Sequence, residues 1–148
     1  MLRTFARIVV ILFTIGVYGS TDYQPSAFIE DTKFIGSLHQ NNEVEMFLGI
    51  PFAVPPINDL RWEKPVAWTP ENKKEITAKK FRPGCIQNQR IVNWYKRLIL
   101  DFGGDPETFD IPEFSEDCLY LNLWRPKGLK DNLPVIVYIH GGSNKAGW

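Results

Sequence analysis

The sequence contains few cysteines and few histidines, and it carries no excess charge of either sign. It has two residues of each type among 148, and 17 Lys and Arg residues balance 17 Asp and Glu residues. The equal charges exclude the basic surface that is typical of nucleic-acid-binding proteins. Neither His39 nor His140 lies at ligand spacing from the cysteines, so we expect no metal and no cofactor. Asn-x-Ser/Thr sequons are absent, and N-glycosylation is therefore not expected.

The sequence also lacks an apolar run long enough to cross a membrane. Residues 8–17 form an apolar stretch of about ten residues, whereas roughly 20 are needed to span a ~30 Å hydrocarbon core. This stretch follows Arg3 and Arg7 and precedes Gly19, which is the pattern of a secretory signal peptide. We therefore predict a signal peptide at residues 1–19 and an extracellular protein, with a membrane anchor as the alternative. Removal of both arginines leaves 15 basic residues against 17 acidic ones, because the 17 basic residues include these two.

The two cysteines, Cys85 and Cys118, admit two interpretations. In the oxidising environment that a signal peptide implies, an isolated pair most often forms a disulfide. A bridge across their separation of 33 residues would stabilise the fold by roughly 3–4 kcal/mol. The alternative is a pair of free, buried thiols.

The first half of the chain predicts a β-hairpin followed by an irregular segment. Residues 34–38 and 43–48 flank a polar turn, in which Asn41 and Asn42 tolerate positive φ. Three prolines follow, at positions 51, 55 and 56. Because proline lacks an N–H and fixes φ, we expect residues 49–56 to form neither a helix nor a central strand.

The second half predicts one helix and two strands. Residues 90–100 repeat apolar side chains at the spacing of one buried helix face, and Gly103 with Gly104 should end the helix. Residues 119–124 indicate a strand that closes at Pro126. Residues 135–139 indicate a second strand, apolar on both faces, which suits the middle of a sheet covered on both sides. The predicted buried helix face comprises Ile91, Val92, Tyr95, Leu98 and Ile99.

Three motifs occur in a fixed order along the chain. They are FLGIPFAVPP at residues 47–56 with Leu60-Arg61-Trp62 shortly after, EDCLYLNLWRP at residues 116–126, and VYIHGG at residues 137–142. Together they resemble the type-B carboxylesterase and cholinesterase family of α/β-hydrolases. The resemblance implies an α/β fold, namely the N-terminal portion of an α/β-hydrolase. That portion has a β-hairpin, a disulfide-closed loop with a helix, and the first strands of the central sheet.

The resemblance also implies roles for residues of the glycine turn. The turn after His140 is similar to the HGGG-type turn that forms part of the oxyanion hole in lipases and esterases. Its backbone donors would be Gly142 and Ser143, with Gly141 in support. Ser143 replaces the commoner third glycine, which a backbone donor permits, although its Cβ narrows the acyl pocket. On its own, the same turn could simply end a strand.

Further structural roles follow from the same resemblance. Cys85 and Cys118 match the first disulfide loop of the family, and Arg61 with Glu116 matches a buried ion pair. Choline-binding members carry a tryptophan about ten residues before the second cysteine, where this sequence has Thr108 and Phe109. We therefore expect no choline site. Trp94 lies on the predicted helix, where a packing role is expected.

The catalytic machinery of the family is missing from these residues. The nucleophile elbow Gly-x-Ser-x-Gly does not occur, and neither His39 nor His140 has a partner that would make it a base. We interpret residues 20–148 as the N-terminal part of a carboxylesterase domain that ends before the elbow. The full-length protein should hydrolyse a small carboxylic ester through an acyl-serine intermediate, and this segment alone should be inactive. The alternative is an inactive esterase-like adhesion protein of the neuroligin or glutactin kind.

Overall fold

The computed structural model describes residues 23–70, 75–129, 132–143 and 145–148. The predicted signal peptide lies outside these residues. Among the described residues, no helix is both long and apolar enough to cross a membrane. The strands are β1 (Ser26–Ile29), β2 (Thr32–Ile35), β3 (Ser37–Leu38), β4 (Val44–Pro51), β5 (Glu75–Thr77), β6 (Gly84–Cys85), β7 (Phe114–Ser115) and β8 (Tyr120–Pro126); the α-helix is α1 (Arg90–Asp101), and two 3-10 helices span Asn58–Leu60 and Pro106–Thr108.

The first three-stranded sheet has the order β1-β2-β5. β1 and β2 form an antiparallel hairpin in which Ile29 pairs with Thr32, so its turn has only two residues. Glu30 adopts φ 51° in this turn. β5 then pairs parallel to β2, with Phe34 opposite Ile76. The sheet therefore joins segments that lie about 40 residues apart in the sequence, and no local sequence pattern predicts such a pairing.

The second sheet has the order β3-β4-β8 and contains the predicted hairpin. β3 and β4 pair antiparallel, and the turn between them places Asn42 at φ 58°, as its sequence predicts. The first arm is shorter than expected, because residues 34–38 divide between β2 and β3 at Gly36. A Cβ at Gly36 would lie 2.4 Å from the Met46 carbonyl oxygen. This close approach of two backbones explains why a glycine lies between β2 and β3.

The expectation that residues 49–56 form an irregular segment is wrong for the first three residues. β4 continues to Pro51 and pairs with β8 at Ile50 and Pro51, whereas its ladder with β3 covers Glu45 and Met46. Gly49 adopts φ 74° where the register shifts between Phe47 and Ile50, so a bulge adapts the strand. Pro51 is the last strand residue, and the next ladder bond comes from the amide of Phe52 to the carbonyl of Leu119. Proline is accommodated because it ends the strand.

The predicted helix and its end are confirmed. The Gly103 amide donates to the Leu100 carbonyl and the Gly104 amide donates to the Ile99 carbonyl, at 2.9 and 2.8 Å. With Gly103 at φ 77°, this is a Schellman cap. Val92 is buried and the other predicted face residues are half-buried, whereas Trp94 is 54% exposed and so packs less than expected.

The predicted strand at residues 119–124 is confirmed as β8, whereas the one predicted at residues 135–139 lacks a partner. These residues form no ladder with any described residue, and they are 78–93% exposed. A strand is stabilised by hydrogen bonds to a neighbour, and apolar composition alone supplies none. The core lies elsewhere and comprises Phe34 of β2, Phe47 and Ile50 of β4, and Ala78.

Candidate active site

Strands β4 and β8 connect the first two sequence motifs. Residue Asn122 of β8 faces the bulge of β4, and its Oδ1 accepts a hydrogen bond of 2.9 Å from the Gly49 amide. The bulge frees this amide from the regular ladder, and the Asn122 side chain satisfies it. A polar residue of the EDCLYLNLWRP motif therefore fixes the backbone of the FLGIPFAVPP motif.

The ion pair between Arg61 and Glu116 forms, but it is not buried. An Arg61 Nη lies 2.5 Å from Glu116 Oε2, and the two side chains are 52% and 37% exposed. The hydrogen bond from Arg61 holds the pKa of Glu116 below its usual value, outweighing desolvation. The same bond raises the pKa of Arg61. The prediction of a buried pair is therefore wrong in its burial and right in its partners.

Tyr120 contacts a carboxylate and a cation at the start of β8. Its hydroxyl donates to Asp117 Oδ1 at 2.7 Å, and the Arg82 guanidinium lies 5.0 Å from the ring centroid. Burial raises the pKa of Tyr120, and the hydrogen bond to Asp117 adds to that effect. The phenol is therefore a neutral donor at physiological pH, which suits a structural role.

The disulfide between Cys85 and Cys118 is present, as predicted. The two Cα atoms are 5.0 Å apart. Beside it, Gly84 and Cys85 of β6 pair parallel with Phe114 and Ser115 of β7. The loop that carries α1 is thus closed both covalently and by a short ladder.

The glycine turn follows residues 135–139 directly and has an unusual backbone. Gly142 adopts φ 133° and Ser143 adopts φ 56°. The Gly142 carbonyl accepts a hydrogen bond from the Lys145 amide at 3.0 Å. A Cβ at Gly142 would lie 1.6 Å from the Ala146 carbonyl oxygen, whereas one at Gly141 would meet no atom within 4 Å. The fold therefore requires glycine at position 142 and tolerates a side chain at 141.

Among the described residues, neither the Gly142 nor the Ser143 amide donates to a backbone carbonyl. Residues 140–143 are exposed. His140 Nδ1 lies 3.0 Å from the Gly141 carbonyl oxygen, so the ring turns toward the backbone beside it. In the part of the chain that the structure describes, no group of three or more His, Cys, Asp or Glu residues could hold a metal ion.

Two polar clusters were missed by sequence reasoning, and the first surrounds Glu45. Glu45 is 1% exposed, and its Oε2 accepts from Arg125 Nε at 2.5 Å while Tyr23 donates to Oε1. Burial opposes ionisation, but the hydrogen bonds from Tyr23 and Arg125 hold the pKa of Glu45 below its usual value. The sequence contained one indication of this burial. Glu45 lies two residues before Phe47, and both side chains lie on the buried face of β4.

The second missed cluster joins the disulfide loop to the segment after the glycine turn. The Gln87 side chain exchanges two hydrogen bonds with the Gly147 backbone. Trp148 packs beside it against three aromatic rings, with centroid separations of 5.6–6.0 Å. Those rings are Tyr95, Phe109 and Phe114. No local pattern signals contacts between residues 60 positions apart.

Comparison with known proteins agrees with the fold and the motifs. The family model described as the carboxylesterase family matches residues 26–147. The chain is 34% identical to fumonisin B1 esterase of Sphingopyxis macrogoltabida over 87% of its length, and 38% identical to carboxylesterase 1E of Rattus norvegicus over 74%. A solved structure of a thermophilic pNB esterase superposes on 82% of the chain with a TM-score of 0.64 and 29% identity.

The chain spans about a fifth of these relatives. It covers 22% of the fumonisin B1 esterase, 19% of carboxylesterase 1E and 22% of the pNB esterase. The likeness to the solved esterase confirms the prediction of a partial α/β-hydrolase fold. The matched residues include all three motifs and the disulfide loop. This chain belongs to the carboxylesterase family.

Proposed function

We propose that these residues are the N-terminal part of a secreted enzyme that hydrolyses small carboxylic esters through an acyl-serine intermediate. Membership of the carboxylesterase family carries the proposal. The signal-peptide pattern of residues 1–19 and the Cys85–Cys118 disulfide support secretion. The reaction needs no metal or cofactor. The nucleophilic serine, its acid and its histidine belong to the remainder of the protein, because residues 1–148 contain no Gly-x-Ser-x-Gly elbow.

In this proposal, Gly142 and Ser143 supply the backbone donors of the oxyanion hole, and Gly141 supports them. When the serine attacks the ester carbonyl, its oxygen becomes an anion that two preoriented N–H groups can stabilise. Loss of one such donor typically raises the barrier by ~2.7–4 kcal/mol. Among the described residues, the Gly142 and Ser143 amides donate to no backbone carbonyl, and this fact and the steric requirement for glycine at position 142 support the role.

The test compares two Gly→Ala substitutions in the full-length protein. Gly142→Ala places a methyl group against the Ala146 carbonyl, so the turn must open and its amides must move. We expect kcat for p-nitrophenyl acetate to fall by roughly 10²–10³-fold with little change in KM. The matched control is Gly103→Ala, which also has positive φ but meets no atom within 4 Å. It should cost about 1 kcal/mol of stability and leave kcat unchanged.

A serine-directed organophosphate tests the acyl-serine step in the same protein. It should label one serine outside residues 1–148 and abolish turnover. If Gly142→Ala retains wild-type kcat, the assignment of the oxyanion donors is wrong. If the wild-type protein neither turns over esters nor reacts with the organophosphate, the enzyme proposal is wrong and an adhesion role takes its place.

A further inference from the structure

The side chain of Gln87 holds the backbone just after the glycine turn. Its Oε1 accepts from the Gly147 amide at 2.7 Å, and its Nε2 donates to the Gly147 carbonyl at 3.0 Å. These two bonds reproduce the pairing of neighbouring antiparallel strands, with a side-chain amide in place of a backbone one. Both partners are half-buried.

The orientation of the Gln87 amide is fixed by a third hydrogen bond. Nε2 also donates to the Cys85 carbonyl at 3.1 Å. Both N–H groups of the amide are thus used on carbonyl oxygens, and its oxygen faces an N–H. A flipped amide would place oxygen against two carbonyl oxygens. Gln87 therefore binds the backbone of Cys85, a disulfide residue, on one side and the backbone of Gly147 on the other.

Gly147 in turn packs against the start of the glycine turn. Its φ is 133°, and a Cβ there would lie 2.1 Å from His140 Nδ1 and 2.7 Å from the Gly141 carbonyl oxygen. The backbone of Gly147 therefore lies in direct contact with the two residues that precede Gly142. A shift of Gly147 must shift His140 and Gly141, and with them the amides that follow.

We propose that Gln87 is a positioning residue for the ester hydrolysis described above: it transmits the rigidity of the disulfide loop through Gly147 to the amides of Gly142 and Ser143. This inference rests on the proposed function, and it adds a residue of the disulfide loop to the support of the oxyanion hole. Gln87 does not touch the substrate. Its contribution is the placement of the N–H donors, whose value falls steeply when they are displaced.

The test uses Gln87→Met in the full-length protein, with Gln89→Met as the matched control. Methionine has a similar length and shape but can form none of the three hydrogen bonds. Gln89 lies two residues further on at the start of α1, is exposed and makes no side-chain capping bond. We expect Gln87→Met to lower kcat for p-nitrophenyl acetate by about 10–100-fold and to leave KM within about twofold. Gln89→Met should change neither.

The pH dependence of kcat in Gln87→Glu distinguishes a positioning role from a purely structural one. The introduced carboxylate can accept from the Gly147 amide but repels the carbonyls of Cys85 and Gly147. Once protonated it can donate to one of them. The ratio of its kcat to that of the wild type should therefore rise as the pH falls from 8 to 5, whereas the ratio for Gln89→Glu should stay flat.

Hydrogen exchange separates this inference from the proposed function. Peptides covering residues 140–148 should exchange faster in Gln87→Met than in the wild type, whether or not the protein hydrolyses esters. If kcat and exchange both match the wild type, the inference is wrong. If exchange rises but kcat does not fall, Gln87 holds the segment without positioning the donors, and the inference is also wrong. If the wild type is inactive while exchange responds, the proposed function fails and the structural link stands.

Discussion

Replacing Arg125 with methionine should cost more stability than any other single loss of charge in the described part of the chain. Arg125 Nε lies 2.5 Å from Glu45 Oε2, its Nη2 donates to the Ser26 carbonyl at 2.9 Å, and its guanidinium lies 5.1 Å from the centroid of Phe47. The charge-assisted bond contributes roughly 1.5–3 kcal/mol and the neutral one roughly 0.5–1.5 kcal/mol. The Glu45 side chain, 2% exposed, would keep a buried charge with Tyr23 and the backbone of Gly128 as its remaining partners.

Breaking such a pair typically costs ~3–5 kcal/mol. The Arg125 side chain is 38% exposed, so water can reach part of the site. We therefore expect a loss of about 3 kcal/mol, at the lower end of that range. Urea unfolding of the full-length protein at pH 7, followed by tryptophan fluorescence, measures it. The control is Arg97→Met, whose side chain is 82% exposed and lies 4.0 Å from Asp101; it should cost less than about 0.5 kcal/mol.

The pH dependence of the stability of Arg125→Met shows whether ionised Glu45 stabilises the fold through its contact with Arg125. The folded-state pKa of Glu45 is lowered, so the ionised pair stabilises the fold above the unfolded pKa of about 4.3. That stability is lost as the pH falls through the folded pKa. The gap between the wild type and Arg125→Met should be largest near pH 8 and should shrink as the pH falls, because the buried carboxylate protonates at a higher pH in the variant than in the wild type. A loss under about 1 kcal/mol at pH 7, or one equal to that of Arg97→Met, would refute the reasoning.

Two further predictions concern the disulfide and the exposed apolar segment. Cys85→Ser with Cys118→Ser should lower the free energy of unfolding by about 3–4 kcal/mol, as expected for a closed loop of 33 residues, and urea titration measures it; a loss below about 1 kcal/mol would contradict the assignment. Residues 1–148 expressed alone should bind a hydrophobic dye strongly, because the apolar residues 135–139 are 78–93% exposed. They should show no turnover of p-nitrophenyl acetate; a soluble monomer with a sharp thermal transition and weak dye binding would contradict this picture.

The features that the sequence predicted correctly have local causes. Gly103 and Gly104 end α1 because glycine readily adopts the left-handed conformation that the cap needs. Asn42 adopts a positive φ in the hairpin turn, because asparagine also tolerates the left-handed conformation. The disulfide followed from two cysteines and the compartment that the N-terminal pattern implies.

The features that the sequence did not predict depend on partners far along the chain. The Glu45–Arg125 contact joins residues 80 positions apart, and the Gln87–Gly147 contact joins residues 60 positions apart. Residues 135–139 have the composition of a buried strand, yet a strand also needs a neighbour to pair with, and composition does not supply one. The roles of Gly141, Gly142 and Ser143 came from motif resemblance and stay predictions until the substitutions are measured.

The proposed role of Gln87, two residues after Cys85, would link oxidative folding to the shape of the glycine turn. A chain that folds with reduced thiols would keep its hydrophobic core around Phe34 and Phe47, yet the Cys85 backbone that holds Gln87 would be free to move. Protein produced in a reducing cytosol should therefore be compared with protein exported to an oxidising compartment before a low specific activity is blamed on the wrong substrate.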